Sequence, residues 1–432
     1  MKKIKKVTLG LTMMSLTFGM AMPAGVVGIP YATTSVLAEV SAQGRCGDSA
    51  EYAYDDETNT LTVSGTGAIW DDYGFANSLS EVKKIVIEDG ITTIGTYSFE
   101  KLCNVSEVSI AGSVTTIKEH AFEYIRGEVA IPASVTNVEE NAFSGAEKIV
   151  IKGDLTGYAV SAFGKGCVNE IILYGGAGDL GKALYCSEVG TVTIAKENSK
   201  CKVSNGCLLS EDGKQMYYYL SGRDKLTIPN TVEAISTGAV SGKSFSEVTL
   251  GESLKNIDAF AFFGSYIIKL NTNNALNTIG VKAFDETGIK NVSFNGKVNM
   301  DMGAFSNRVT IKNTKKFKYS QTSVDTADVG NSKYNIRYAK VAGAKGYEIR
   351  VKSGDKTYKY TTKKNYYRGK APKALTNDYI ASKDYYIVAD EYLKDVKDAA
   401  YVTVRPYKTE TKKKKVKKVY GRWSTKIVLS HR

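Results

Sequence analysis

Histidine is nearly absent: only His120 and His431 occur among 432 residues. No serine or cysteine has an evident histidine partner along the chain, so nucleophilic catalysis of the usual kind finds no support. The six cysteines, Cys46, Cys103, Cys167, Cys186, Cys201 and Cys207, include no C-x-x-C pair. With so few histidines beside them, a metal centre of familiar spacing is excluded and no cofactor is expected. Cys201 and Cys207 flank an Asn205-Gly206 turn, so one expectation is a disulfide across that turn; the other is buried, unpaired thiols. Long apolar runs are scarce too. Beyond the first thirty or so residues nothing approaches the roughly 18 consecutive apolar residues of a spanning helix, and the mature chain is expected to hold no membrane span. A Leu-Pro-x-Thr-Gly sorting signal and a hydrophobic tail are also missing, so covalent anchoring is not expected.

The long apolar stretch that does occur, residues 7 to about 27, follows four lysines in the first six residues, the layout of a secretory signal peptide. Val36-Leu37-Ala38 offers the best cleavage site and puts the mature start near Glu39, while Pro23 and Pro30 interrupt the run and argue against a retained anchor. The expectation is an exported protein, extracellular or held non-covalently at the cell surface. What remains, roughly 400 residues, is too long for one compact core unless the architecture is elongated. The net charge of +13 is unevenly spread: residues 315–432 carry +19, the leader +4, and residues 39–314 carry −10. An acidic body and a basic tail read as two units.

What the body has in abundance is a phased repeat. One unit reads Val108-x-Ile110, Val114-x-x-Ile117, Ala121-Phe122; the next reads Val129-x-Ile131-Pro132, Val135-x-x-Val138, Ala142-Phe143. Before them stand Ile85-x-Ile87, Ile91-x-x-Ile94 and Ser98-Phe99. After them come Ile149-x-Ile151 with Ala162-Phe163, then Leu226-x-Ile228-Pro229, Val232-x-x-Ile235 and Ala239-Val240. Val248-x-Leu250 with Ala259-Phe260, Ile268-x-Leu270 with Ala283-Phe284, and Val292-x-Phe294 with Ala304-Phe305 complete the series. A step of roughly 20 to 24 residues is too short to fold alone, so each unit must bury its apolar positions against its neighbours. The alternating pair predicts a strand with one face inward. The Val-x-x-Ile spacing fits a turn or helical loop on the far side, and the small-large pair closes the coil. With strands about 4.8 Å apart, about eleven coils make a rod on the order of 50 Å long.

This pattern resembles the BspA-like leucine-rich-repeat family of bacterial surface proteins over about two thirds of the chain. The resemblance implies a β-rich solenoid and a part in attachment to matrix proteins or other cells. Two coils, around Ile171-Ile172-Leu173 and Val192-x-Ile194, lack the Ala-Phe closure. Residues 196 to 223, with turn signals at Asn205-Gly206 and Asp212-Gly213, resemble the family's hairpin insertion and set Tyr217, Tyr218 and Tyr219 on a strand. Residues 39–81, in which 52–54 and 61–63 flank a polar turn, read as an N-terminal β cap over the open edge of a solenoid spanning 82–314.

Past Lys312 the repeat stops, and 315–333 reads as a polar linker. Strands rich in Tyr and Val at 334–338, 346–352, 358–362, 400–407 and 419–429 predict a small antiparallel β-sandwich over 334–432. Val341-Ala342-Gly343-Ala344-Lys345-Gly346-Tyr347-Glu348-Ile349, the 401–407 segment and Tyr420-Gly421-Arg422-Trp423-Ser424 look like a bacterial fibronectin-type-III domain. Tyr338 stands where such domains commonly carry Trp, a departure that alters the core without requiring a new strand order.

Gly176-Ala177-Gly178-Asp179-Leu180-Gly181 is a literal G-x-G-x-x-G after a predicted strand. Its surroundings fall in phase with the solenoid and leave no room for the long helix a dinucleotide phosphate needs, so the glycines are read as relaxing tight turns. His120, just before Ala121-Phe122, is read as a surface turn residue. Projected strands give two outward rows: Lys84, Glu107, Glu128, Lys148, Glu170, Thr191, Lys225, Glu247, and Val86, Ser109, Ala130, Val150, Ile172, Thr193, Thr227, Thr249. Mixed charge beside small residues points to a contact surface, away from the clustered acid and base of a β-helix carbohydrate-active enzyme. The expected function is non-catalytic recognition of an extracellular protein or glycan. Glu107, Glu128, Ser109, Thr193, Thr227, Thr249 and the hairpin's Tyr217, Tyr218 and Tyr219 are its candidate contacts. A passive wall-associated spacer and a β-helix-type enzyme are the alternatives. Lys412, Lys413, Lys414, Lys415, Lys417 and Lys418 make six lysines in seven positions, read either as a solvated loop or as an exposed hairpin suited to an anionic wall polymer such as teichoic acid. Export argues against nucleic acid as a partner.

Overall fold

A computed structural model describes residues 42–164, 166–185, 187–330, 333–372, 400–412 and 415–431; the expected leader and Cys186 lie outside them. The described chain starts with three antiparallel strands, Ala42–Arg45, Gly47–Asp55 and Thr60–Ile69. The turn joining the last two is built on the Asp55 carboxylate, which accepts hydrogen bonds from Glu57 N–H, Thr58 N–H and the Thr58 hydroxyl. The third strand then serves two sheets. Its first half pairs in parallel with Lys84–Ile87, Leu61 opposite Ile85, and its second half sets Gly67 opposite Ile91. The bend comes at Gly65, φ +96°, where a Cβ would stand 2.2 Å from the Ser49 carbonyl oxygen, so only glycine fits.

Most coils give one strand to a front sheet and a second, usually shorter, one to a back sheet. On the front, Lys84–Ile87, Glu107–Ile110, Glu128–Ile131, Lys148–Ile151, Gly166–Leu173 and Ser187–Ile194 pair in parallel. Alternation explains the facing: Val108 and Ile110 are buried while Glu107 and Ser109 are exposed. The Val-x-x-Ile segments are not helical loops. They form short parallel strands, Ile91–Ile94, Thr116–Ile117 and Asn137–Val138, because stacking lets each coil bond the next one's backbone directly. The only helix longer than a 3-10 turn among the described residues, Leu180–Ala183, occurs in a coil that lacks the Ala-Phe closure.

The closing phenylalanines stack. Phe99, Phe122 and Phe143 lie 5.1 and 5.5 Å apart with planes within 6° and 5° of parallel, and Phe262, Phe284 and Phe305 repeat this at 4.8 and 5.1 Å. Before each closing pair stands a left-handed residue. Tyr97, His120, Asn141, Ser161, Phe260 and Lys282 all have φ between 51° and 57°, and each donates its N–H to the next coil, as Asn141 does to the Ser161 carbonyl at 2.9 Å. Two readings need correction. The coil assigned to Ala259-Phe260 closes on Ala261-Phe262, both fully buried, with Phe260 in the left-handed position. The inward pair of the following strand is Ile267 and Leu270, in register with Phe245 and Val248, and Ile268 is 65% exposed.

Halfway along, Cys201–Ser204 and Cys207–Ser210 pair antiparallel around Asn205-Gly206 and lead into Gln215–Tyr219. This small sheet is apolar on both faces. Cys201, Leu208 and Tyr218 pack into the core of the first half, whereas Cys207, Leu209, Met216 and Tyr219 pack into that of the second. Register puts Cys201 opposite Ser210 and Ser204 opposite Cys207, so the two cysteines sit in different cores and both thiols are free; the disulfide across the turn is ruled out. Burial pushes the Cys207 thiol up to about 12. The back sheet then continues from Gln215–Tyr219 through Ala234–Ile235, Asn256–Ile257, Thr278–Ile279 and Asn299–Met300. The front restarts as Lys225–Thr227, Ser244–Thr249 and Tyr266–Asn271, then as Asn291–Phe294, Thr310–Asn313 and Lys340–Val341.

Residues 315–333 are not a linker. Val324–Gly330 pairs with Lys333–Tyr338, and Ser320, Gln321, Thr322 and Ser323 are buried. Their side chains carry the hydrogen bonds that a polar stretch needs in order to be buried. Gln321 accepts Met300 N–H at 2.9 Å and donates to the Trp423 carbonyl at 2.7 Å, Ser323 Oγ accepts Phe305 N–H, and Thr322 donates to the Ala339 carbonyl. Beyond this seam lie two antiparallel sheets. One, four-stranded, orders Tyr366–Lys370, Lys333–Tyr338, Val324–Gly330 and, in parallel at its edge, Ser430–His431; the other, five-stranded, orders Lys356–Thr362, Gly346–Ser353, Tyr401–Lys412 and Lys415–Tyr420, with Ile427–Val428 also on Tyr401–Lys412. They share a core that includes Ile336, Tyr338, Ile349, Val402 and Val404. Tyr338 is buried there with its hydroxyl donating to the Lys364 carbonyl at 2.9 Å. The whole is a β-rich solenoid of about eleven turns closed by antiparallel sheet.

Candidate binding surfaces

In-register pairing lines up Lys84, Glu107, Glu128, Lys148, Glu170 and Thr191 in one column, and Lys225, Glu247 and Lys269 in another. The charges satisfy one another along these columns. Lys84 lies 2.9 Å from Glu107, and Lys148 lies 3.1 Å from Glu128 and 3.6 Å from Glu170. Glu247 sits between Lys269 at 2.7 Å and Lys225 at 3.7 Å. Hydrogen bonds from Lys269 and from Asn271 hold the Glu247 carboxyl at about 2. Exposed pairs contribute little individually. A one-residue slip would pair these charges with the wrong partners, so the columns favour the observed register. Glu107 and Glu128 are therefore engaged within the protein's own surface.

The second row is discontinuous. Ser109 lies between Val86 and Ala130. Thr227 and Thr249 face one another across neighbouring strands, whereas Thr193, opposite Ile172, ends the first front sheet and is not paired with Thr227. Tyr217 is half-buried, and Tyr218 and Tyr219 are buried outright, which removes those two as surface contacts. The reason is the two-faced small sheet, which sends Tyr218 into the first solenoid core and Tyr219 into the second. Sequence reasoning missed Tyr266 and Ile268, which stand 60% and 65% exposed near the start of Tyr266–Asn271. Three consecutive apolar residues hid the facing; the Phe245-x-x-Val248 spacing of the preceding coil, laid in register, identifies Ile267 and Leu270 as the inward pair.

At the far end, Tyr401–Lys412 and Lys415–Tyr420 make the basic ribbon. Lys415, Lys417 and Lys418 are exposed; Lys413 and Lys414 lie outside the described residues, as does the side chain of Lys412. Lys417 faces Glu410 across the ladder, and Lys418 rests 4.3 Å over the Tyr407 ring. The Tyr420-to-Ser424 segment builds a stack: Arg405 lies between the rings of Tyr420 at 3.8 Å and Trp423 at 4.3 Å, Arg350 covers Trp423 at 4.1 Å, and Glu348 pairs with both arginines.

The glycine motif serves coil packing. Gly176 donates to Asp154, which is paired with Lys200 at 2.7 Å, and a Cβ on Gly181 would stand 2.6 Å from the Thr237 carbonyl oxygen. His120 stacks on Tyr97 at 4.7 Å and has Glu123 2.6 Å from Nδ1 and Glu119 3.2 Å from Nε2. Among the described residues no three His, Cys, Asp or Glu side chains are grouped to hold a metal ion, and no helix is long and apolar enough to cross a membrane.

The chain matches the model of the BspA type leucine rich repeat region in six copies, over residues 54–199 and 213–331. The match leaves out part of the hairpin and the sheets beyond residue 331. Among solved structures, a leucine-rich repeat protein from Eubacterium ventriosum is 18% identical, with 62% of this chain and 84% of that one covered and a TM-score of 0.38. A leucine rich cell surface protein from Faecalibacterium prausnitzii is 17% identical, with 62% and 87% covered and a TM-score of 0.40. The pneumococcal vaccine antigen PcpA is 14% identical, with 64% and 94% covered and a TM-score of 0.38. No curated protein matches this chain. The family match spans more than half of the sequence, and the protein belongs to the BspA-type leucine-rich-repeat family.

Proposed function

We propose that this protein is a non-catalytic binding protein of the bacterial surface, exported by its N-terminal leader, that recognises an extracellular protein or glycan through the front face of its solenoid. The observation that carries this reading is the pair Tyr266 and Ile268, two large side chains more than half exposed on a sheet whose charges are otherwise paired among themselves. Exposed aromatic and aliphatic groups supply contact area that self-neutralised ion pairs do not. Thr227 and Thr249 lie toward the other end of the same three strands and form the hydroxyl-bearing part of that face. Family membership supports it, since BspA-type proteins are surface proteins. The test is an array of matrix proteins and glycans probed with the mature chain. Tyr266→Ala combined with Ile268→Ser is expected to lower capture tenfold or more, on the order of 1.4 kcal/mol, and Thr227→Lys with Thr249→Lys to lower it less. Capture that both double variants leave unchanged places the ligand elsewhere.

A second reading, a passive wall-associated spacer, is favoured by the buried polar seam that joins solenoid and sandwich into one rod. In that case deletion of residues 412–418 releases the protein into the medium at moderate salt, and unchanged retention rejects it. The likeness of the C-terminal sheets to a fibronectin-type-III domain is part of either reading and rests on the sequence motifs together with the two-sheet core.

A further inference from the structure

In the two charged columns of the solenoid front, lysines are matched by carboxylates one coil away. The four-stranded sheet of the sandwich breaks that rule. Its register puts Lys333 opposite Lys370, Asn335 opposite Arg368 and Arg337 opposite Tyr366. Tyr334, Ile336 and Tyr338 are buried in the core, which leaves Lys333 exposed and Arg337 half-buried on the other face beside exposed Tyr366, Arg368 and Lys370, with Asn335 covered between them. Like charges directly opposite one another destabilise a ladder. Among the described residues none of these four cations forms an ion pair. Two carboxylates lie nearby: Asp328 is buried and accepts Asn335 Nδ2 at 3.0 Å through one oxygen, and Asp325 accepts Asn307 N–H at 3.0 Å and feels the charge of Arg337 without closing an ion pair with it.

Where this face meets the last solenoid coil there is a cleft of about 370 Å³ lined, among the described residues, by Asn307, Arg337, Asn365, Tyr366 and Arg368, none of them a carboxylate. That volume lies within the range of small-ligand sites, roughly 300–1,000 Å³. Its two sides are tied together, since Asn365 Nδ2 donates to the Asn307 carbonyl at 2.9 Å and to the Tyr338 carbonyl at 3.2 Å. Lys364 adds a cation at the rim, its Nζ 2.8 Å from the Tyr366 hydroxyl. Arginine forks match the oxygens of carboxylate, sulfate or phosphate, and a 38% exposed tyrosine ring offers an apolar surface with a polar edge suited to a sugar.

We infer that this junction cleft binds an anionic polysaccharide, with Arg337 and Arg368 holding its acidic groups and Tyr366 and Asn365 facing its sugar rings. The site is separate from the solenoid front and from the lysine ribbon of the other sheet, and it stands whether or not the front-face reading holds.

The test is calorimetric titration of the full mature chain with heparin, polygalacturonate and wall teichoic acid, with neutral dextran as control, at about 50 and about 200 mM salt. At least one polyanion is expected to bind, more weakly at the higher salt, and dextran is not. The preferred probe distinguishes sulfate, carboxylate and phosphate as the group recognised. Arg337→Gln with Arg368→Gln is expected to weaken binding by about tenfold or more, whereas Lys415→Gln, Lys417→Gln and Lys418→Gln together change it by less than about threefold. Arg368→Glu alone, at an exposed position, gives the same direction should the double variant prove unstable in a thermal melt. Failure of the wild-type chain to bind any polyanion overturns the site. So does equal loss in the cleft and ribbon variants, which would mean net charge alone, or loss confined to the ribbon variant.

Discussion

Phe122 shows at the scale of one residue how the solenoid is held. It is fully buried and stacked on Phe99 and Phe143, so Phe122→Ala removes contacts to the coils on both sides. A cost of about 3–5 kcal/mol is expected, read as a lower denaturant midpoint. The residue before it shows why the repeat does not demand glycine. His120 has φ +56°, a conformation that costs roughly 1–2 kcal/mol in an L-residue, but its N–H donates to the Glu140 carbonyl of the next coil. No composition rule marks that position, because Tyr, His, Asn, Ser, Phe and Lys all occupy it. Glu247 shows what the charged columns do. Its carboxyl, held at about 2 against an ordinary 4.5, contributes stability at neutral pH that is lost as pH falls from about 4.5 towards 2. Carboxyl NMR titration is expected to find the midpoint near 2, and Lys269→Met to move it back up; a midpoint unmoved by that substitution would show that Lys269 is not the cause.

Among the elements, the hairpin of Cys201–Ser204 and Cys207–Ser210 departs furthest from its sequence reading. Turn residues at Asn205-Gly206 made a hairpin legible, but alternation cannot tell a one-sided ribbon from a layer with a core on each face. Leu208 and Leu209 are adjacent and both buried, in different cores. Each substituted by Ala is expected to cost about 2–5 kcal/mol, and hydrogen exchange should separate them. Leu208→Ala loosens amides of the coils before the hairpin, such as Ile171, and Leu209→Ala those after it, such as Ile257. Identical exchange patterns would mean one continuous core. The front strands were legible wherever apolar and polar residues strictly alternate, as at Val108-x-Ile110. At Tyr266-Ile267-Ile268 the alternation is lost and the facing is set by the neighbouring coil.

For the molecule as a whole, the seam at residues 320–323 decides whether solenoid and sandwich behave as one body. Gln321→Leu removes the acceptor for Met300 N–H and the donor to the Trp423 carbonyl. It is expected to cost about 1–3 kcal/mol, because it leaves a buried N–H unsatisfied. Calorimetry of the intact chain should show the last coils and the sandwich melting together. Truncation after residue 314 exposes the final coil: Met300 and Phe305 lose their N–H acceptors, and Ile311 loses Val341 from its edge. A truncated solenoid that melts as sharply and at the same temperature as the intact chain would contradict this.

Periodicity alone determined that the chain is a stacked coil with Ile, Val and Phe inside, because a step of this length has no other way to bury its apolar residues. Turn residues marked the hairpin, and the charge distribution marked the change to a basic C-terminal unit. The tertiary structure alone decided which charges pair, which tyrosines are buried and which cations crowd together without an ion pair among the described residues. Those are properties of residues twenty to a hundred positions apart, and they follow from the register in which one backbone meets another.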